Sequence, residues 1–268
     1  MIRVCVLALA LLVPAVASAA KPAKAASSPT ELYEKGLRQM KRGYFTKALE
    51  AFNRVRNYHR DDPLSVKSQL AIAEVYYKKG DYEQARFAFE EFAAYHPRHE
   101  DLDYVTRMIG MSVYKRAPKF AGRDQTATRG AVNVWTGFDT RFPESDYAED
   151  VIRLRERGRN RLAAKEVFTA KFYARRNAWG SVRGRAEYGL RRYAGTSSTP
   201  KLNLLLGTAM HAWGHVDEAR GVLESFASAS PESRLVKRLE RRLARPAGEQ
   251  PEEEIFVRPY RIRGVSGL

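Results

Sequence analysis

Lys78–Ala85 reads KKGDYEQA and Lys41–Ala48 reads KRGYFTKA, two stretches that share their first, third and eighth letters and lie 37 residues apart. A period of a few tens of residues in a chain without low-complexity bias predicts stacked helical hairpins. Working outward from the second stretch, Ala73 and Tyr76 share the apolar stripe of one helix, and Ala85, Phe89 and Phe92 that of the next. Gly80 lies where the first helix must turn back, and Pro97 ends the second. The earlier stretch has Gly36, Gly43, Phe45, Ala48, Phe52 and Val55 at the same offsets, and a late copy has Gly207, Gly214, Val216, Ala219, Leu223, Phe226 and Pro231.

These spacings are those of the tetratricopeptide repeat, with its period lengthened by short connectors. Small residues at Gly36, Ala73 and Gly207 let the first helix (A) of a hairpin approach the second (B), where Ala48, Ala85 and Ala219 are their small counterparts. A third copy opens at Gly110, and its second helix is expected from near Thr128 through Phe138, after an inserted loop APKFAGRDQ. A long helix is expected after Pro143, with Ser145 as its cap, and it leads into a fourth copy with Ala170, Tyr173, Val182 and Ala186. The expected fold is all-α, a right-handed superhelical solenoid of five hairpins. Its expected parts are repeats 1–2 at 30–100, repeat 3 at 101–144, the long helix and repeat 4 at 145–196, and repeat 5 at 197–245.

Both ends of the sequence read differently. One positive charge at Arg3, the apolar run Val4–Val13, Pro14 and the Ala17-Ser18-Ala19 site form the pattern of a secretory signal peptide over 1–19, cleaved at Ala19–Ala20. A polar linker follows to 29. A disordered tail is expected over 246–268, with an acidic block at Glu252–Glu254 followed by IFVRPYRIR. The chain of 268 residues carries a formal charge of +16, which calls for an anionic partner. Export argues against nucleic acid and leaves an acidic protein or a membrane surface, so peripheral membrane association fits. Cys5 is the one cysteine and lies in the predicted signal peptide, so no disulfide framework or cysteine metal site is expected.

No catalytic motif is present: there is no phosphate loop, no G-x-S-x-G elbow and no H-E-x-x-H. His211 and His215 have the i, i+4 spacing of a metal pair, but Gly214 separates them at a predicted turn and no third ligand is near. Neither a metal nor a cofactor is expected. The positions that recur are of another kind. Late on helix A come Met40-Lys41, Tyr77-Lys78 and Tyr114-Lys115, each 37 residues after the last, and Ala174-Arg175 follows in the fourth copy. Tyr33 and Leu70 sit about two turns earlier on their helices. A ladder of apolar surfaces, each beside a cation, suits an extended peptide with aromatic side chains and carboxylate groups. The same residues also suit plain packing between helices with solvated lysines. The run Arg153–Lys165 reads most simply as a solvated helix face.

Taken together, the repeats, the segment RFPESDYAED (Arg141–Asp150) and the segment AKFYARRNAW (Ala170–Trp179) resemble the BamD (ComL) family, over roughly Thr30–Leu243. That family forms the tetratricopeptide component of the outer-membrane β-barrel assembly machinery. The resemblance implies a non-enzymatic protein at the periplasmic face of the outer membrane. It implies binding to the POTRA domains of the barrel-forming subunit through C-terminal repeats, and to unfolded outer-membrane proteins through N-terminal ones. It places the partner surface at Arg185, with Arg175, Arg176 and Arg183 beside it. Such proteins usually carry a lipid on a cysteine just after the signal peptide, and none stands there in this sequence. An alternative reading is a general periplasmic repeat adaptor in cell-envelope or division complexes.

Overall fold

A computed structural model describes residues 28–249. The predicted signal peptide, its cleavage site at Ala19–Ala20, the linker up to 27 and the tail from 250 lie outside the described residues. Among the described residues all regular structure is helical, in twelve helices. Five hairpins follow one another: α1 (Pro29–Lys41) with α2 (Phe45–Tyr58), α3 (Pro63–Lys79) with α4 (Tyr82–Tyr95), and α5 (Leu102–Lys115) with α6 (Thr126–Trp135) and the short α7 (Phe138–Arg141). Then come α8 (Ala148–Ala174) with α9 (Trp179–Arg192), α10 (Thr199–Ala212) with α11 (Val216–Ala229), and a last helix α12 (Arg234–Leu243). Each helix packs mainly on its neighbours in sequence, and A helices also touch the next A helix, as α8 touches α10 and α10 touches α12. That pattern is a solenoid.

Local chemistry sets the boundaries. Ser28 and Glu31 form a reciprocal capping box at α1, with Pro29 in the first turn. Asp62 caps α3 through the Leu64 amide at 2.8 Å, again followed by a proline. The repeat turns close on glycines with positive φ: Gly43 at 79°, Gly80 at 90° and Gly214 at 83°. A side chain there would meet the steric penalty of the left-handed region, which is why the period keeps glycine at this spot.

The core is a row of small clusters, one for each helix interface. Phe52, Phe89 and Trp135 are fully buried at equivalent places in the first three B helices. A Cβ added to Gly36 would lie 2.5 Å from the Phe52 ring, and one added to Gly110 would fall inside the Trp135 indole. Close approach of A to B therefore depends on the absence of a side chain, as the spacing predicted. In the fifth copy the small residue serves a different neighbour: a Cβ on Gly207 would meet Leu239 of α12 at 2.8 Å. Helix α12 thus occupies the place of the next A helix, a half repeat that the sequence reading had merged into the fifth copy.

Two further expectations are corrected. The second helix of repeat 3 does not run through to Phe138: Thr136 is extended and Gly137 is left-handed at φ 74°, and the chain restarts as α7. Ser145 does not cap the long helix, which begins at Ala148. Its hydroxyl instead donates to Asp103 Oδ2 at 2.6 Å and accepts from the Tyr147 amide, shaping the turn before α8. The predicted insertion is a loop, and it is tied down. Gln125, 3% exposed, donates to the carbonyls of Pro118 and Phe120, and Lys165 of α8 donates to those of Gly122 and Arg123.

Candidate functional site: the face of the A helices

The 37-residue step aligns side chains along the A helices. Met40, Tyr77 and Tyr114 hold one position and Lys41, Lys78 and Lys115 the next. The apolar members are built into the packing. Met40 lies against the cluster of Ala48, Phe52 and Val75, while Tyr77 packs with Phe89 and Val105 and meets Tyr82 edge-on at 5.4 Å. Tyr114 packs against Trp135 with ring centroids 5.7 Å apart and the rings tilted by 55°, and the Arg161 guanidinium lies 4.7 Å from its ring. Tyr33 meets Phe52 edge-on at 5.5 Å, and Leu70 packs on the second cluster. Burial is the main cause that pushes the Tyr33 and Tyr77 phenols above their ordinary pKa. All three lysines are exposed, and none forms an ion pair among the described residues. The ladder is thus a row of solvated cations on an apolar backing.

The same period exposes a residue that sequence reading missed. Tyr33, Leu70 and Arg107 are equivalent, so the third rung is a cation. Arg107 Nε donates to Asp150 Oδ2 of α8 at 2.7 Å, with its guanidinium 5.5 Å from the Tyr147 ring. Beside it the Tyr104 hydroxyl donates to Glu74 Oε1 at 2.9 Å, bridging repeats 2 and 3. Burial first, and the Glu74 charge next to it, push the Tyr104 phenol far up, so it stays a neutral donor. A further 37-residue step from Leu70 would have revealed Arg107.

The four arginines expected at the partner surface have separate surroundings. Arg183 and Arg185 are two residues apart on α9 and so point about 200° apart. Arg183 binds Glu187 at 2.8 Å and Glu218 of α11 at 3.0 Å. Arg185 is half exposed and binds Glu166 of α8, which is 5% exposed, at 3.4 Å. Arg176 stacks on Phe172 at 3.6 Å. Arg175 belongs to another surface. It lines an open trough of about 1060 Å³ at the C-terminal end of the A-helix face.

One wall of that trough is the end of α8, with Lys171 and Arg175, joined by Trp179 of α9. Its floor is α10, with Lys201, Leu204, Leu205 and Thr208. The other wall is α12 and the residues after it, with Leu235, Arg238, Arg241, Arg242 and Arg245. Seven cations line it and no acid does. None of the seven has an ion pair among the described residues, whereas the arginines of Arg153–Lys165 are largely satisfied, Arg155 by Asp139 and Arg159 by Glu156. Among the described residues there is no group of side chains that could hold a metal, and no helix long and apolar enough to cross a membrane. His211 is buried in α10, and His215 lies beyond the turn against Glu218 at 3.1 Å.

The sequence is similar to that of known assembly factors. The outer membrane protein assembly factor BamD of Xylella fastidiosa (strain 9a5c) is 28% identical over 212 residues, covering 75% of this chain and 73% of that protein. BamD of Neisseria meningitidis serogroup A is 25% identical over 216 residues, covering 76% and 81%. BamD of Haemophilus influenzae is 26% identical over 217 residues, covering 78% and 82%. The family model YfiO, described as outer membrane lipoprotein, matches residues 25–234, which takes in all five hairpins, and the chain belongs to that family.

Proposed function

We propose that this protein is a non-enzymatic scaffold of outer-membrane protein assembly, acting at the inner face of the outer membrane. The observation that carries the reading is the family match across every hairpin, together with relatives that are themselves assembly factors. In this reading the N-terminal repeats hold unfolded outer-membrane segments. The exposed Lys41, Lys78 and Lys115 meet their carboxylates, and the apolar backing of Tyr33, Met40, Leu70, Tyr77 and Tyr114 accepts their aromatic side chains. The C-terminal repeats, around Arg175, Arg176, Arg183 and Arg185, meet the POTRA-bearing barrel subunit. Contact with that subunit and the chain's basic surface, with a formal charge of +16, hold it at the membrane.

The test is a pull-down of the tagged chain from the solubilised envelope of its own organism, with a peptide-binding assay beside it. A barrel protein bearing POTRA repeats is expected in the eluate. A labelled peptide ending in an aromatic residue with a free carboxylate is expected to bind the parent at least tenfold more tightly than Lys41→Glu/Lys78→Glu/Lys115→Glu. Recovery of division or cell-wall proteins without any barrel protein would refute the assembly role. Unchanged peptide binding would remove the ladder from it.

A further inference from the structure

The trough beside α12 has an occupant within reach in the same chain. We propose that Glu252–Val257, the EEEIFV segment of the C-terminal tail, docks into it and covers its cations.

Charge complementarity is the first support. The trough gathers seven cations without an acid, and the segment opens with three consecutive carboxylates. The Arg242 Nε donor is buried and has no hydrogen-bond partner, which a carboxylate would supply. The apolar residues match as well. Leu204, Leu205, Leu235 and Trp179 are half-buried among the cations, and Ile255, Phe256 and Val257 directly follow the three glutamates.

The path of the chain is the second support. After α12 the chain does not leave the molecule. The Gly248 amide donates to the His211 carbonyl at 3.2 Å, at the C-terminal end of α10. Arg245, just before it, already lines the trough. From Ala212 back to Lys201, α10 rises about 16 Å. Extended chain covers at most about 3.5 Å per residue, so Glu252 lies within about 14 Å of Gly248 and Phe256 within about 28 Å. A tail running back along α10 therefore brings its carboxylates past Arg242, Arg241 and Arg238 and its apolar residues over Leu204 and Leu235. A tether this short gives an effective concentration of about 1 mM, so an intrinsic affinity of only about 0.1 mM would keep the trough roughly nine-tenths filled. The trough would then open to another acidic partner only by displacing the tail.

The experiment uses the full chain with a photoreactive benzophenone side chain at Phe256. Irradiation at low micromolar concentration is expected to cross-link position 256 to the α10 and α12 peptides of the same chain, with a yield independent of protein concentration. Glu252→Lys/Glu253→Lys/Glu254→Lys should lower the yield at least tenfold. Combining Glu252→Lys/Glu253→Lys with Arg238→Glu/Arg241→Glu, both exposed arginines, should restore it. Cross-links between chains, cross-links scattered over other helices, the absence of any cross-link, or a yield indifferent to the charge reversals would each overturn the proposal.

Discussion

A single methyl group at Gly110 should destabilise this protein, although the same change at Gly184 should stabilise it. Alanine is favoured over glycine in a helix interior by about 0.5–1 kcal/mol. Gly184 of α9 has no atom within 4 Å of an added Cβ, so Gly184→Ala should gain roughly that amount, about 0.5–1 kcal/mol. At Gly110 the added Cβ falls inside the Trp135 indole, which is fully buried between α5, α6 and α8 and donates its N–H to the Arg107 carbonyl at 3.3 Å. Forcing the ring aside costs about 1–3 kcal/mol in overpacking and about 1 kcal/mol in the lost hydrogen bond, against the propensity gain of about 1 kcal/mol. Gly110→Ala should therefore lose about 1–3 kcal/mol net, lowering Tm by about 2–12 °C in a folded region of this size. Thermal unfolding of both variants, followed by far-UV circular dichroism, reads the two signs side by side. If Gly110→Ala were as stable as Gly184→Ala, the close approach of A and B helices would not be what this glycine is for.

Three more perturbations test the site. The Tyr114 hydroxyl is buried without a hydrogen-bond partner among the described residues, so Tyr114→Phe should leave stability unchanged or raise it by up to about 1 kcal/mol in denaturant titration. Arg185→Ala strands the nearly buried Glu166 carboxylate and should cost about 1–2 kcal/mol, less than a fully buried pair because half of Arg185 faces water; adding Glu166→Gln should recover most of it. His96, its ring 3.0 Å from Gln69 Oε1, has its pKa held below the usual imidazole value, first by burial and second by the nearby His99. Its unfolded form therefore takes up a proton first: its contribution is present above about pH 6.5 and is lost as pH falls through that value toward the lower folded one. Tm measured from pH 7.5 down to 5.5 should fall less steeply in His96→Gln than in the parent.

The repeat could be read from the sequence because it is written in residues with one physical job each. Gly43, Gly80 and Gly214 turn the chain with positive φ, and Gly36 and Gly110 admit a large ring from the B helix. The turn before α8 was harder. Ser145 looks like a cap, but its hydroxyl is drawn to Asp103 across 42 residues, a long-range contact that no local pattern reveals. Helix α12 carries a clear stripe at Leu235, Val236, Leu239 and Leu243, yet only the packing of Leu239 on Gly207 shows that it begins a sixth repeat. The lysine ladder follows the period and was visible. The trough was not, because its cations come from three stretches centred near 174, 204 and 240 and meet only when α8, α10 and α12 lie side by side.

Helix α8 also bears on how the array comes apart. At 27 residues it is about 40 Å long, roughly twice its neighbours, and it packs on α6 and α7 behind it and on α9 and α10 ahead. A solenoid held only by contacts between successive hairpins loses its repeats one at a time from its ends. Here one rigid rod belongs to three repeats at once, so the third, fourth and fifth must melt as a single cooperative block. The first two meet that block through the buried cluster of Ala73, Phe89 and Phe92 with Val105 and Met108, the Arg116–Glu83 pair and the Glu74–Tyr104 bond. Helix α8 does not reach them, so they are expected to open first from the free end. Amide exchange is expected to divide the protein into a more labile N-terminal arm and a slower C-terminal body.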